Sequence, residues 1–226
     1  MTHLLDMDIV LVILTTIIFL GSSRIEFCIR LVTFQGIMLG IIPIIIPNIP
    51  DGDAGYIILM AIITISIKGV ILPWLLFRAW REANVSREVE PYVGFGASLI
   101  IGVVLLGISF FLSSRLQLPL TSPSKLIVPL AFLNFFAGIF AIASRRKALT
   151  QVLGYLILEN GIYIFGITFV HNQPLLVEMG VLLDLLVGVF IMGITIFNIN
   201  REFEHIDTDR LNMLKDAHYH SGENFQ

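Results

Sequence analysis

Three ionisable side chains lie within long apolar segments of this sequence, where hydrocarbon would surround them. The segments are ILMAIITISIKGVILPWLLF around Lys68, LGYLILENGIYIFGITF around Glu159 and GVLLDLLVGVFIMGI around Asp184. At a helical rise of about 1.5 Å per residue, each charge is roughly 15–18 Å from the polar end of its segment, near the middle of a hydrocarbon core about 30 Å thick. A charge there costs roughly 2.5–3.5 kcal/mol on insertion scales, so all three residues are candidates for a function.

These side chains have the chemistry for moving protons. Buried charges of opposite sign are expected to pair or to line a hydrated path. A proton that passes such a pair changes the proton affinity of its neighbours, because opposite charges stabilise each other's ionised forms. Glu159 and Lys68 could hand off protons in this way, with water filling the gaps. Interhelical pairing of these charges remains an alternative role, whereas snorkelling of Lys68 to the membrane surface is disfavoured by its depth.

Three uncharged residues are expected to support this path. Pro73, five residues after Lys68, lacks a backbone N–H and predicts a loosened helix beside the lysine. Gln35 is a deep polar residue of the second apolar run, and Asn160 directly follows Glu159. The candidate set for proton or ion translocation therefore combines three charged and three uncharged positions.

The composition defines the class of protein. The chain has 226 residues, of which 56% are hydrophobic and 14% charged, against about 25% charged in soluble domains; its mean hydropathy is +0.89. This composition predicts an integral membrane protein. The single cysteine, Cys28, excludes an internal disulfide and an iron–sulfur cluster held by cysteines of this chain alone. No nucleophile, metal or phosphate motif is present, which argues against an enzyme acting alone.

Seven apolar runs predict seven transmembrane helices, so the expected fold class is an all-α polytopic membrane protein. The first run is short and has room to begin earlier, and the N-terminus lacks the basic region of a signal peptide, which favours a retained span. The predicted spans are Ile9–Gly21, Leu31–Ile49, Tyr56–Phe77, Val93–Leu112, Leu126–Ser144, Leu149–Val170 and Leu175–Ile199.

The distribution of Arg and Lys predicts the orientation. Alternate loops are basic, while the remaining loops hold only Arg115 and Lys125, and the turn at Asp51–Asp53 is acidic. Because basic loops face the cytoplasm, the N-terminus is expected outside and the C-terminus in the cytoplasm. The basic residues are Arg24 and Arg30, then Arg78, Arg81 and Arg87, then Arg145, Arg146 and Lys147, and finally Arg201, Arg210 and Lys215.

The predicted spans group into two triplets joined by a linking helix. Spans one to three and five to seven would run in the same directions, with Gln35 and Lys68 in one triplet corresponding to Glu159 and Asp184 in the other, as in a parallel duplication. The expected units are a three-helix unit with its cytoplasmic loop at 1–92, a linking helix and outer loop at 93–125, a second three-helix unit at 126–200 and a polar cytoplasmic tail at 201–226.

Several motifs resemble hydrogenase-4 component E, a membrane subunit of group 4 hydrogenase and formate hydrogenlyase complexes. The C-terminal half of that family is matched by RKALTQVLGYLILENGIYIF, PLLVEMGVLLDLLVGVFIMG and HIDTDRLNMLKD, and its lysine–proline helix by ITISIKGVILPWLLFRAWRE. Through that family the last three helices are similar to the K subunit of complex I and the C subunit of multisubunit Na⁺/H⁺ antiporters. Those subunits carry a glutamate on each of two adjacent helices. Glu159 matches the first, and Asp184, with Gly188 four residues later, matches the second as Asp in place of Glu.

The resemblance implies a subunit of an ion-translocating arm in the cytoplasmic membrane. Its expected partners are antiporter-like and complex-I-like membrane subunits and a peripheral hydrogenase or redox arm, with no nucleic acid. Nickel–iron and iron–sulfur centres are expected in those partners, and no cofactor or active site in this chain. Three alternatives remain: a subunit of a non-redox antiporter, a subunit of an energy-coupled inorganic carbon transporter, and a passive scaffold for antiporter-like subunits.

Overall fold

The chain forms a bundle of long helices. The computed structural model describes residues 2–45, 54–82, 92–116, 124–169, 180, 183–184 and 186–193. The helices are α1 Thr2–Gly21, α2 Ile25–Ile45, α3 Ala54–Ser66, a π-helical segment Ile67–Ile71, α4 Leu72–Glu82, α5 Phe95–Arg115, α6 Ile127–Ser144 and α7 Ala148–Phe169. Residues 180, 183–184 and 186–193 are also helical. No β-strand occurs among these residues, so the all-α prediction is confirmed.

Six helices in the described ranges are long and apolar enough to cross a membrane. They correspond to the first six predicted spans, and the seventh, Leu175–Ile199, is described only in part. The protein is therefore a multi-pass membrane protein. The acidic turn at 51–53, the basic Arg87 and the tail at 201–226 lie outside the described residues.

Two helices begin before their apolar runs. Helix α1 begins at Thr2 rather than Ile9, an earlier start that the short first run allowed, whereas the predicted start of α2 at Leu31 is wrong, because this helix begins at Ile25. In α2 the charges that suggested a loop lie within the first helical turns, where Arg30 Nη2 is 2.6 Å from Glu26 Oε1. An ion pair at i,i+4 is compatible with a helix that continues into the headgroup region.

The third span confirms the prediction of a loosened helix before Pro73. Helix α3, the π segment and α4 follow one another without a break from residue 54 to residue 82. Proline has no N–H to donate to the carbonyl four residues earlier. The helix widens just before it, and the Leu72 N–H bonds to the Ile67 carbonyl instead. Lys68 lies in this widened turn.

Glycines bring α6 and α7 into close backbone contact. A Cβ added at Gly138 would lie 2.5 Å from the Leu158 backbone nitrogen, and one at Gly161 would lie 2.6 Å from that of Phe135. Small residues at helix contacts are typical of membrane bundles, where packing rather than water exclusion drives association. Helix α7 is therefore held rigidly against α6.

Arg145 joins the ends of several helices at the predicted cytoplasmic side. Its Nη2 donates a hydrogen bond to the Leu20 carbonyl at 2.8 Å, and its guanidinium lies 5.5 Å from the Phe95 ring centroid. Leu20 is in the last turn of α1, where carbonyls lack helical partners, so the guanidinium caps that helix. This contact ties α1 and α5 to the α6–α7 connection.

The orientation of the bundle is directly testable. A reporter fused after Lys215 should read cytoplasmic, and one inserted in the turn at 48–55 should read external, because the basic loops alternate along the chain. Paired alkaline phosphatase and fluorescent protein fusions would measure both sites. The opposite pattern at either site would contradict the orientation.

Candidate functional site

Lys68, Glu159 and Asp184 meet inside the bundle. Lys68 Nζ donates to Glu159 Oε1 at 2.8 Å and to Asn160 Oδ1 at 3.1 Å, and it lies 3.7 Å from Asp184 Oδ1. The three charged side chains are only 2–6% exposed. Three of the predicted candidates and the supporting residue Asn160 are therefore brought together by the π segment, α7 and the helical residues near 184. We call these four residues the charged cluster.

The charged cluster contains more negative than positive groups. When all are ionised, one ammonium faces two carboxylates, which leaves one net negative charge. Glu159 Oε2 and Asp184 Oδ1 accept no hydrogen bond from the described part of the chain. A Lys–Tyr contact adds to the stabilisation of the cation, because Nζ lies 5.7 Å from the centroid of the Tyr163 ring. The excess carboxylate gives the cluster a place for a further proton or cation.

Gly36 of α2 makes room for Lys68. A Cβ at this position would lie 2.6 Å from Lys68 Cβ and 3.2 Å from the Lys68 carbonyl oxygen. A cavity of about 10 Å³ beside it is lined by residues that include Lys68, Pro73 and Asn160. This volume suits about one water molecule. The predicted supporting residue Pro73 thus borders the site as well as shaping its helix.

Gln35 belongs to a different site. Its Nε2 donates to Thr15 Oγ1 at 3.0 Å and to Thr16 Oγ1 at 2.9 Å, and Thr16 Oγ1 is 2.6 Å from Asn134 Oδ1. The sequence prediction grouped Gln35 with Lys68 from their similar depth. Neighbouring residues of an α-helix, however, point about 100° apart at 3.6 residues per turn, so Gly36 meets Lys68 while Gln35 faces α1.

Three residues of this second site were missed by sequence reasoning. Asn134 is the one amide in the apolar run IVPLAFLNFFAGIFAIAS, and this isolation was a usable signal. Thr15 and Thr16 gave little signal, since hydroxyls in helices commonly bond to their own backbone, as both do here with the Val12 carbonyl. Their convergence with Gln35 is visible only once the helices are packed.

No metal site is evident in the described ranges. No group of three or more His, Cys, Asp or Glu side chains comes together there. The charged cluster offers two carboxylates beside an ammonium, a donor set that suits protons better than a resident divalent metal, because Lys68 already occupies the position between them.

Substitution of Gly36 would displace the lysine. Gly36→Ala should shift Lys68 and destabilise the protein by about 1–3 kcal/mol, the usual effect of overpacking. Thermal unfolding in detergent would measure this. The matched control is Gly107→Ala in α5, where an added Cβ meets nothing within 4 Å. Equal unfolding temperatures for the two variants would contradict the close α2–Lys68 contact.

The sequence is similar to one known family and to several bacterial proteins. The family model described as NADH-ubiquinone/plastoquinone oxidoreductase chain 4L matches residues 126–216. The chain is 30% identical over 205 residues to the uncharacterized protein Rv0085 of Mycobacterium tuberculosis, covering 90% of this chain and 92% of that protein. It is 25% identical over 150 residues to hydrogenase-4 component E of Escherichia coli K12, covering 66% and 68%, and the same values hold for that of Shigella flexneri. No solved structure matches.

Proposed function

Because this chain belongs to the hydrogenase-4 component E and complex I chain 4L-like family, and is thus a membrane subunit of a complex-I-like complex, we propose that it carries part of that complex's ion path. The observation that supports this most is the position of Lys68 Nζ, 2.8 Å from one buried carboxylate and 3.7 Å from another. Neither carboxylate is needed to keep the chain in lipid. Movement of charge through the two carboxylates would account for their burial.

The proposed mechanism is an exchange of one ammonium between two carboxylates. With Lys68 hydrogen-bonded to Glu159, Asp184 is the less neutralised carboxylate and receives the incoming proton. Transfer of that proton from Asp184 to Glu159 leaves Asp184 ionised and weakens the hold of Glu159 on the ammonium, which then moves toward Asp184. The lysine stem has four rotatable carbons and three donors, so the shift needs little backbone motion. Asn160 keeps the amine hydrogen-bonded in the first arrangement.

The proposed setting is a complex in the cytoplasmic membrane that couples redox chemistry to ion movement. The similarity to hydrogenase-4 component E supports a peripheral arm whose subunits hold nickel–iron and iron–sulfur centres, as in formate hydrogenlyase. Membrane partners would include antiporter-like subunits. In this proposal the chain itself contributes the charged cluster and no redox centre.

A passive scaffold is the second candidate. The charged cluster joins the third span, α7 and the helix around Asp184, and so could serve only to hold these helices in register. An ion pair used in this way needs complementary charge but no proton exchange. The two functions therefore differ in how they respond to replacements that preserve shape and hydrogen bonding.

Asp184 provides the test of the proposed function. Asp184→Asn should lower ion translocation by the assembled complex in vesicles, because an amide cannot take up and release a proton. Asp184→Glu should retain more translocation than Asp184→Asn, since it keeps the carboxylate. Assembly, measured by co-purification of the other subunits, should survive both changes. Full translocation by an assembled Asp184→Asn complex would favour the scaffold.

A further inference from the structure

A second polar cluster lies where α1, α2 and α6 converge. It consists of Thr15, Thr16, Gln35 and Asn134, which we call the amide–hydroxyl cluster. Thr16, Gln35 and Asn134 are completely buried and Thr15 is 8% exposed. We propose that this cluster binds water within the membrane and that the bound water extends the ion path of the charged cluster toward α1; the second part rests on the proposed function.

Within the described part of the chain, the hydrogen bonds of the cluster leave room for a further small molecule. Gln35 Oε1 and Asn134 Nδ2 are buried and have no partner among the described residues. An unsatisfied polar group in the hydrocarbon region costs several kcal/mol. One of these atoms needs a donor and the other needs an acceptor, and water supplies both. Both amides also contact Thr16 Oγ1, so their unpaired ends flank one hydroxyl.

The direction of the Asn134 amide does not alter this requirement. Thr16 Oγ1 has one proton but lies within hydrogen-bond distance of two acceptors, the Val12 carbonyl at 2.8 Å and Asn134 Oδ1 at 2.6 Å. Exchanging oxygen and nitrogen of Asn134 resolves that competition, and oxygen then becomes its unpaired atom. Two unpaired acceptors remain, and the two protons of water satisfy them.

Water fits this cluster better than a cation does. The oxygens of Thr15, Thr16 and Val12 would be natural ligands for a small cation. Gln35 Nε2 occupies the point where they converge, at 3.0, 2.9 and 3.5 Å respectively. An N–H donor at that point repels positive charge. A neutral molecule that donates as well as accepts is compatible with the arrangement.

The two clusters are neighbours across α2 and the α6–α7 contact. Gln35 is followed by Gly36, against which Lys68 packs. Asn134 packs at Gly161, the residue after Asn160, where an added Cβ would lie 3.1 Å from the Asn134 backbone carbon. Asn160 accepts from Lys68. Water held by the amide–hydroxyl cluster would therefore lie beside α2 and α7, the two helices that also border the charged cluster.

The existence of the water site is tested first, by the density in a cryo-EM map. In a cryo-EM map of the complete complex that shows ordered water, a peak is expected at about 2.7–3.2 Å from Gln35 Oε1 and from the unpaired atom of Asn134. A direct hydrogen bond between the two amides with no peak beside them would overturn the water site. This readout does not depend on ion translocation, so it tests the site even if the proposed function fails.

The role of the water is tested by the Thr16 hydroxyl. Thr16→Val, similar in shape, should lose most ion translocation while electron transfer to an artificial acceptor continues, and Thr16→Ser should retain more translocation than Thr16→Val. Ser109→Ala is the control, because the Ser109 hydroxyl bonds to the Leu105 carbonyl of its own helix. This variant should leave translocation unchanged. Wild-type translocation by Thr16→Val would overturn the extension of the path. Glu159→Gln reports on the proposed function separately.

Discussion

Replacing Lys68 by Met should abolish ion translocation and also destabilise the protein. The change removes the cation within 4 Å of two buried carboxylates. Breaking a buried ion pair by removing one partner typically costs about 3–5 kcal/mol, because it leaves an uncompensated charge. The expected results are a lower unfolding temperature, a smaller yield of assembled complex, and no ion movement by the complex that does assemble.

A triple variant separates stability from translocation. Lys68→Met combined with Glu159→Leu and Asp184→Leu removes all three charges. Well-packed apolar replacements of a buried ion pair are often neutral or stabilising, so assembly should recover relative to Lys68→Met alone. Translocation should not recover. A triple variant that moves ions at the wild-type rate would contradict a role for the charged cluster in the path.

Glu159→Gln should sharply lower ion translocation with little effect on the fold. Glutamine keeps the size and hydrogen-bonding shape of glutamate, but it cannot release a proton. Subunit assembly and electron transfer from the peripheral arm to an artificial acceptor should stay largely intact, while the number of ions moved per electron falls sharply. If Glu159 only holds helices together, glutamine should substitute well, since membrane hydrogen bonds average about 0.6 kcal/mol in measured cycles.

Glu26→Gln is the matched control for this experiment. Glu26 is an exposed carboxylate of α2 that pairs with Arg30 at 2.6 Å, and exposed pairs at i,i+4 contribute about 0.3–0.5 kcal/mol. The complex with Glu26→Gln should translocate ions as the wild type does. Normal translocation by an assembled Glu159→Gln complex would contradict the relay role and leave Asp184 or the scaffold as the candidates.

The sequence predicted that the three charged residues lie at one level of the bundle, but it did not predict which helices bring them together. Depth follows from a fixed rise per residue and the length of an apolar run, and this placed Lys68, Glu159 and Asp184 at similar levels. Which helices meet depends on small residues such as Gly36 and Gly161, whose contacts are set by the packed bundle. Pro73 was readable because its effect on the helix is local.

The direction of a side chain around its helix was the main source of error. Gln35 was predicted at a similar depth to Lys68, yet it bonds to Thr15 and Thr16 on α1. A single apolar run with few polar positions does not show which of its faces meets which neighbour, since lipid-facing and bundle-facing positions are both apolar. The start of α2 was missed for a related reason, because charges in a headgroup region do not end a helix.

The glycine contact between α6 and α7 has a mechanical consequence. Backbones that touch at Gly138 and Gly161 oppose sliding or turning of one helix against the other, because close-packed contacts are not easily compressed. Glu159 and Asn160 thus lie on a helix, α7, that is tightly packed against α6. When the charged cluster rearranges, the moving parts are therefore the Lys68 side chain on its widened turn and the helix that carries Asp184, and both move relative to the α6–α7 pair.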